Sequence, residues 1–170
     1  MGQTKTYKPS SKQEKNKRWD VLKHTYSWHY GIDYRLHPEE YRIGKGEQGV
    51  LICEPFKSEI LPFWRFKTPE IAQASSIKIF ELFKKYLKKE EFVGADMARK
   101  FLQMGYTRAR RYANHSTGRK YDKLTGTELP LGPPNPLKAK SAQIFYEKWK
   151  EAEADSQYQQ LKKDWKEKYG

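Results

Sequence analysis

Basic and aromatic residues interleave in the run Arg108-Ala109-Arg110-Arg111-Tyr112-Ala113-Asn114-His115 and onward through Ser116-Thr117-Gly118-Arg119-Lys120-Tyr121. These residue types suit a phosphate-bearing ligand. Guanidinium groups hold phosphate oxygens bidentately. Tyr112 and Tyr121 offer flat faces to unstacked bases. Asn114, Ser116 and Thr117 add neutral hydrogen bonds to phosphate or base edges. Arg99 and Lys100, further upstream, extend the basic surface. So many like charges repel one another unless something anionic sits among them. That anion is either a partner or the chain's own carboxylates, for which Glu39, Glu40, Glu54, Glu59 and Asp96 are the internal candidates.

His115 lies inside this cluster. With arginine neighbours and Asp122 close in sequence, an imidazole there could do general acid–base work on a phosphodiester. The other histidines, His24, His29 and His37, match no zinc spacing, and Cys53 is the lone cysteine, so no metal and no cofactor is implied. Cys53 sits in the apolar run Val50-Leu51-Ile52-Cys53 and reads as a small buried hydrophobe. Gly44-Lys45-Gly46-Glu47-Gln48-Gly49 matches G-x-G-x-x-G. The residues after it read as a strand, not the helix that a dinucleotide site requires. A hairpin turn is the expected structure, with Lys45 and the loop amides as secondary phosphate contacts. Trp64, in Phe63-Trp64-Arg65-Phe66, is either a stacking platform or, like most of the five tryptophans, core.

Two helices must carry the main cluster and its support. Thr68-Pro69-Glu70 is a helix start: a capping oxygen, a preorganised first residue and an acid that complements the dipole. That helix should run to about Lys89, with Ala72, Ser75, Ile79, Leu82, Phe83 and Tyr86 on its inner stripe. A second helix is expected from about Gly94 to Asn114. Ala98, Phe101, Leu102, Gly105, Ala109, Tyr112 and Ala113 share one face, and Arg99, Gln103, Arg110 and Asn114 stack on the other. Gly105 on the apolar face implies close approach of another element. Alternation over residues 26–34, with Tyr41-Arg42-Ile43 and residues 49–53 flanking the glycine loop, predicts short strands. Pro55 and Pro62 bound a further extended stretch. Residues 115–137 read as a loop. Two helices close the chain, one with Ala142, Phe145, Trp149 and Ala152, the next capped by Asp155 and carrying Tyr158, Leu161 and Trp165. The expected fold class is α+β: a small, mostly antiparallel sheet packed on two central helices, with a C-terminal helical pair.

The chain has 170 residues, 34 Lys/Arg against 21 Asp/Glu, and a net charge of +13. Residues 99–123 hold eight Lys/Arg against Asp122 alone, whereas residues 25–98 are balanced. Residues 1–24, with seven Lys/Arg against Glu14 and Asp20, read as a flexible basic arm ahead of a single domain at residues 25–170. Met1-Gly2-Gln3-Thr4-Lys5-Thr6 fits an acylation pattern, but an arm that attracts polyanions is the more economical reading. Apolar stretches are too short to span a bilayer, and no secretory signal follows Met1. One cysteine suits an intracellular, reducing compartment.

The runs Tyr41-Arg42-Ile43-Gly44-Lys45-Gly46-Glu47-Gln48-Gly49-Val50, Lys57-Ser58-Glu59-Ile60-Leu61-Pro62, Trp64-Arg65-Phe66-Lys67, Asp96-Met97-Ala98-Arg99-Lys100-Phe101-Leu102-Gln103-Met104-Gly105 and Arg110-Arg111-Tyr112-Ala113-Asn114-His115 together resemble an uncharacterised family of bacteria, fungi and tailed phages. It is a domain of unknown function, number 4385, and the likeness spans roughly residues 28–168. The resemblance implies one compact intracellular domain and transfers no catalytic residue. A phage setting would also allow a virion or host-takeover role.

The expected function is binding of nucleic acid or another phosphate-rich polyanion, with low sequence specificity. Arg99, Lys100, Arg108, Arg110, Arg111, Tyr112, Asn114, His115, Arg119, Lys120, Tyr121 and Lys45 form the surface. One alternative is an enzyme acting on a phosphorylated or nucleic-acid substrate through His115. The other is a phage or host structural or interaction protein.

Overall fold

The helix starts written into the sequence are realised. Thr68 Oγ1 accepts from the Ile71 amide at 3.2 Å, and the helix that follows runs Pro69–Lys88. Asp155 Oδ1 accepts from the Tyr158 amide at 2.9 Å and opens the last helix, Ser156–Tyr169. The computed structural model describes residues 29–115, 121–129 and 135–170. Among them are five α-helices: α1 (Phe56–Ile60), α2 (Pro69–Lys88), α3 (Phe92–Asn114), α4 (Pro136–Glu153) and α5 (Ser156–Tyr169). Short 3-10 turns lie at Pro38–Glu40 and Leu61–Phe63. The basic arm, Trp19, Trp28, His24, Arg119 and Lys120 lie outside the described residues.

The expected antiparallel sheet is not formed. The described residues contain no strand, only two isolated bridges, Asp33 with Glu54 (parallel) and Tyr121 with Glu128 (antiparallel). The fold is helical, not α+β. The residues read as strands are apolar because they plug a helical core. Tyr34, Tyr41, Val50, Ile52 and Cys53 are all buried. Their backbone needs no sheet: the Ile52 and Cys53 amides both donate to Gly49 O in turns, at 3.0 and 3.1 Å, and the Tyr34 amide donates to Glu54 O at 2.9 Å beside the isolated bridge. Gly46 and Gly49 take the left-handed conformations, φ +57° and +86°, that these turns demand. The stretch expected to be extended between Pro55 and Pro62 is instead α1, whose Phe56 and Ile60 are buried.

α3 is the axis of the core. It packs against α4 and α2, which also pack against each other, and its first half meets α1 and α5. Gly105 lets α4 approach: a Cβ there would lie 2.4 Å from Cδ1 of Phe145. At the other end, Phe92 stacks on Tyr158 and packs on Trp165, with ring centres 5.9 and 5.1 Å apart. Trp165 Nε1 donates to Tyr41 O at 2.9 Å, which ties α5 to the segment preceding the glycine loop.

Candidate polyanion-binding site

The basic residues of α3 fall into two groups. Arg99 and Lys100 are core residues, 4% and 0% exposed. Arg99 Nη2 donates to Asp96 Oδ1 at 2.8 Å, and Lys100 Nζ lies 3.7 Å from Asp96 Oδ2. Tyr158 Oη donates to Asp96 Oδ1 at 2.7 Å, and Tyr41 Oη donates to Oδ2. Burial alone would raise the Asp96 carboxyl. The charges of Arg99 and Lys100 and the two tyrosine hydroxyls outweigh it and hold Asp96 well below the usual carboxylate range. Burial pushes the Lys100 ammonium down and the Tyr41 hydroxyl up.

The same two cations grip the glycine loop. Arg99 Nη1 donates to Gly46 O at 3.0 Å and to Gln103 Oε1 at 2.8 Å, and Lys100 Nζ donates to Gln48 O. The loop therefore presents carbonyls inward to the protein's own cations. Lys45, on its outer side, is exposed. Of the acids that could neutralise the basic cluster from within, Asp96 meets two of its members, Arg99 and Lys100. Arg99 and Lys100 hold the loop and are not on the surface.

The second group is different. Arg110 is exposed, while Arg108 and Arg111 are half-buried. Among the described residues none of the three forms an ion pair with a carboxylate. Glu47 reaches this end of α3, but it accepts a hydrogen bond from Thr107 Oγ1, at 3.0 Å. Arg111 Nε is buried with no hydrogen-bond partner among the described residues. Tyr112 is 41% exposed. Asn114 is half-buried and Tyr121 is exposed.

His115 ends the helix, its amide donating to Arg111 O at 2.8 Å. It is only 8% exposed, and its Nδ1 has no hydrogen-bond partner among the described residues. Asp122 does not meet it. Asp122 Oδ1 instead accepts from the Leu124 and Thr125 amides at 2.8 and 2.9 Å. Among the described residues no three His, Cys, Asp or Glu side chains group to hold a metal.

Beside the second group lies an open cleft of about 360 Å³ lined by Arg65, Phe66, Lys67, Ile71, Tyr112 and Lys138. It forms where the segment before α2, the first turn of α2, the last turn of α3 and the first turn of α4 converge. The Asn135 amide donates to Ala113 O at 2.9 Å, which seats the start of α4 against the end of α3. Asn135 Oδ1 accepts from the Leu137 and Lys138 amides, at 3.0 and 3.2 Å, and sets the direction of that first turn. Lys138 Nζ donates to Lys67 O at 2.6 Å and stands 5.9 Å from the centre of the Tyr112 ring. Phe66 and Tyr112 face each other with centres 6.1 Å apart at 40°.

Arg65, Lys67 and Lys138 are site residues that the sequence pattern does not single out. A signal for two of them is present in Trp64-Arg65-Phe66-Lys67, which interleaves cations and rings as residues 108–112 do. Trp64 itself is packed edge-on against Phe66 and Phe101, at 5.1 and 5.8 Å, so it is not an open stacking platform.

No helix of the described residues is long and apolar enough to cross a membrane. No curated protein and no solved structure matches the chain. A family model, described as Domain of unknown function (DUF4385), matches residues 25–168. With nearly all of its length so matched, and with the residues that build both basic groups inside the match, the chain belongs to that family.

Proposed function

We propose that the protein binds nucleic acid or another phosphate-rich polyanion through the C-terminal end of α3 and the cleft beside it, with little sequence preference. The observation that carries this reading is that Arg108, Arg110 and Arg111 have no carboxylate partner among the described residues, in a helix whose other two basic residues share the buried carboxylate of Asp96. The fold has a carboxylate near enough to pair Arg99 and Lys100. It supplies none to these three among the described residues. Lys45, Arg65, Lys67 and Lys138 add cations with no carboxylate partner of their own among those residues, and side chains this rich in donors and poor in base-reading geometry favour phosphate over sequence. Arg119, Lys120 and the basic arm add to the same field by charge. A lone, buried Cys53 fits an intracellular setting.

Fluorescence anisotropy with a labelled oligonucleotide, titrated at several KCl concentrations, tests this. Replacing Arg108, Arg110 and Arg111 together by Gln should weaken binding to every sequence. The slope of log affinity against log salt should become shallower by about 0.9 for each duplex phosphate that the variant no longer neutralises. Unchanged affinity and slope would overturn the reading.

A further inference from the structure

The cleft beside Tyr112 has a chemistry of its own. Its apolar lining is two rings, Phe66 and Tyr112, together with Ile71. Every charged lining residue is a cation: Arg65, Lys67 and Lys138. A fully apolar ligand would leave those cations unused. A bare phosphate would leave the rings unused. A volume of about 360 Å³ is near the lower end for small-molecule sites and suits one flat ring with its sugar and phosphate.

We infer that this cleft receives a single nucleotide unit, its base against Tyr112 and its phosphate among Arg65, Lys67 and Lys138. This rests on the polyanion-binding reading and sharpens it from any polyanion to unpaired nucleic acid. A base inside a duplex is stacked and paired on both sides and cannot reach a cleft wall, whereas a single strand or frayed end can. The surroundings favour a strand over an isolated phosphorylated group. Arg108 lies one helical turn before Tyr112 on the same stripe of α3, and Arg111 adjoins it. A strand with one base in the cleft would carry its next phosphates over those arginines. A peptide with a single phosphotyrosine would fill the cleft and leave them unoccupied.

The test compares a labelled twelve-nucleotide thymidine strand with a twelve-base-pair duplex by anisotropy at equal salt. The wild-type chain should bind the single strand at least tenfold more tightly. Tyr112→Ala should reduce single-strand affinity about tenfold, lower duplex affinity far less, and so abolish the preference. Ile71→Trp, at an exposed position of α2, should do the same by filling the cleft without changing its charge, so the result does not depend on truncating a helix-packing ring. Circular dichroism melting confirms that both variants fold. Free thymidine monophosphate tells the source of the unit. Competition at millimolar concentration means the unit alone suffices. A retained strand preference without competition means the flanking phosphates are required.

Equal affinity for strand and duplex, with both variants silent, overturns the nucleotide cleft and leaves polyanion binding standing. A wild-type chain that binds neither nucleic acid overturns the two together. Tyr112-dependent capture of a phosphotyrosine peptide, without any strand preference, assigns the cleft to that ligand and overturns the proposal.

Discussion

The two halves of α3 use the same side chains for opposite purposes. In the first half, Arg99 and Lys100 are buried beside Asp96, and their remaining donors hold the carbonyls of Gly46 and Gln48. In the second, Arg108, Arg110 and Arg111 have no carboxylate partner among the described residues, and they adjoin a cleft rimmed by further cations. The difference teaches where charge can be used. A buried charge is tolerable only when paired and hydrogen-bonded, and it then organises structure. An unpaired charge near solvent keeps its capacity for a ligand. Helical position sets the boundary: the loop of residues 41–53 and α5 enclose the first half, and the loop touches the second through Glu47, which meets Thr107 and none of the three arginines.

This contrast makes a graded series of predictions. The largest effect belongs to Asp96→Asn. It leaves two buried cations without their counter-charge and should cost about 3–5 kcal/mol, measured as a lower urea midpoint. A loss under about 1 kcal/mol, the scale of an ordinary point substitution, would show that Arg99 and Lys100 do not depend on Asp96.

Next is Gly105→Ala. The helix gains roughly 1 kcal/mol from alanine's propensity, but the new methyl meets the Phe145 ring 2.4 Å away. Overpacking should win, giving a net loss of about 1–2 kcal/mol. Pairing the change with Phe145→Leu should recover part of it.

Lys100→Met should cost about 1 kcal/mol. It removes a buried charge whose desolvation is itself unfavourable, yet it also deprives Gln48 O of its donor. Asp96 keeps Arg99, Tyr41 and Tyr158, so the loss should stay below that of Asp96→Asn.

The smallest stability effect is expected from the triple change of Arg108, Arg110 and Arg111 to Gln, within about 0.5 kcal/mol, although it should have the largest effect on binding. A destabilisation comparable to Lys100→Met would mean that these arginines are structural after all, and the contrast between the halves would fail.

Acid sharpens the same comparison. The folded Asp96 carboxyl titrates below its unfolded value, so its stabilisation is complete above the ordinary Asp value of about 3.9. It is lost as pH falls below that value toward the depressed folded one. The stability gap between wild type and Asp96→Asn should therefore be constant from about pH 5 to 7 and shrink between about pH 4 and 2. The gap between wild type and the triple arginine variant should show no such dependence. Thermal melts across that range check both.

Much of the helical framework is legible along the chain. Thr68-Pro69 and Asp155 signal helix starts through local capping chemistry, which needs no tertiary partner. Gly105 announces a close helix crossing, and Phe145 is what crosses there. The sheet expectation fails because alternation and β-branched runs report burial as much as extension. Tyr34, Tyr41, Val50 and Ile52 are buried, but the last three satisfy their amides in turns, and Tyr34 does so at a single isolated bridge and not along a strand. α1 is invisible in the sequence because five residues between prolines cannot display a helical period. At the site, the interleaving of residues 108–112 marks the right end of α3. Arg99 and Lys100 read as surface residues because they lie off the Phe101 face. That inference holds for a helix covered on one side, and the first half of α3 is covered on all sides.

From the sequence alone came the excess of cations, their concentration near residues 99–123 and the helix boundaries around them. Composition and capping act locally, so they can be read along a chain. Which cations stay available for a ligand was decided by tertiary structure. Availability depends on whether a carboxylate from the same protein reaches the cation and whether other segments shut out water, and both depend on what the fold brings together. Asp96 pairs with its own helix neighbours in a dry site only because Tyr41, Tyr158 and the glycine loop close over them. Arg65, Lys67 and Lys138 join Tyr112 only because three helix ends meet.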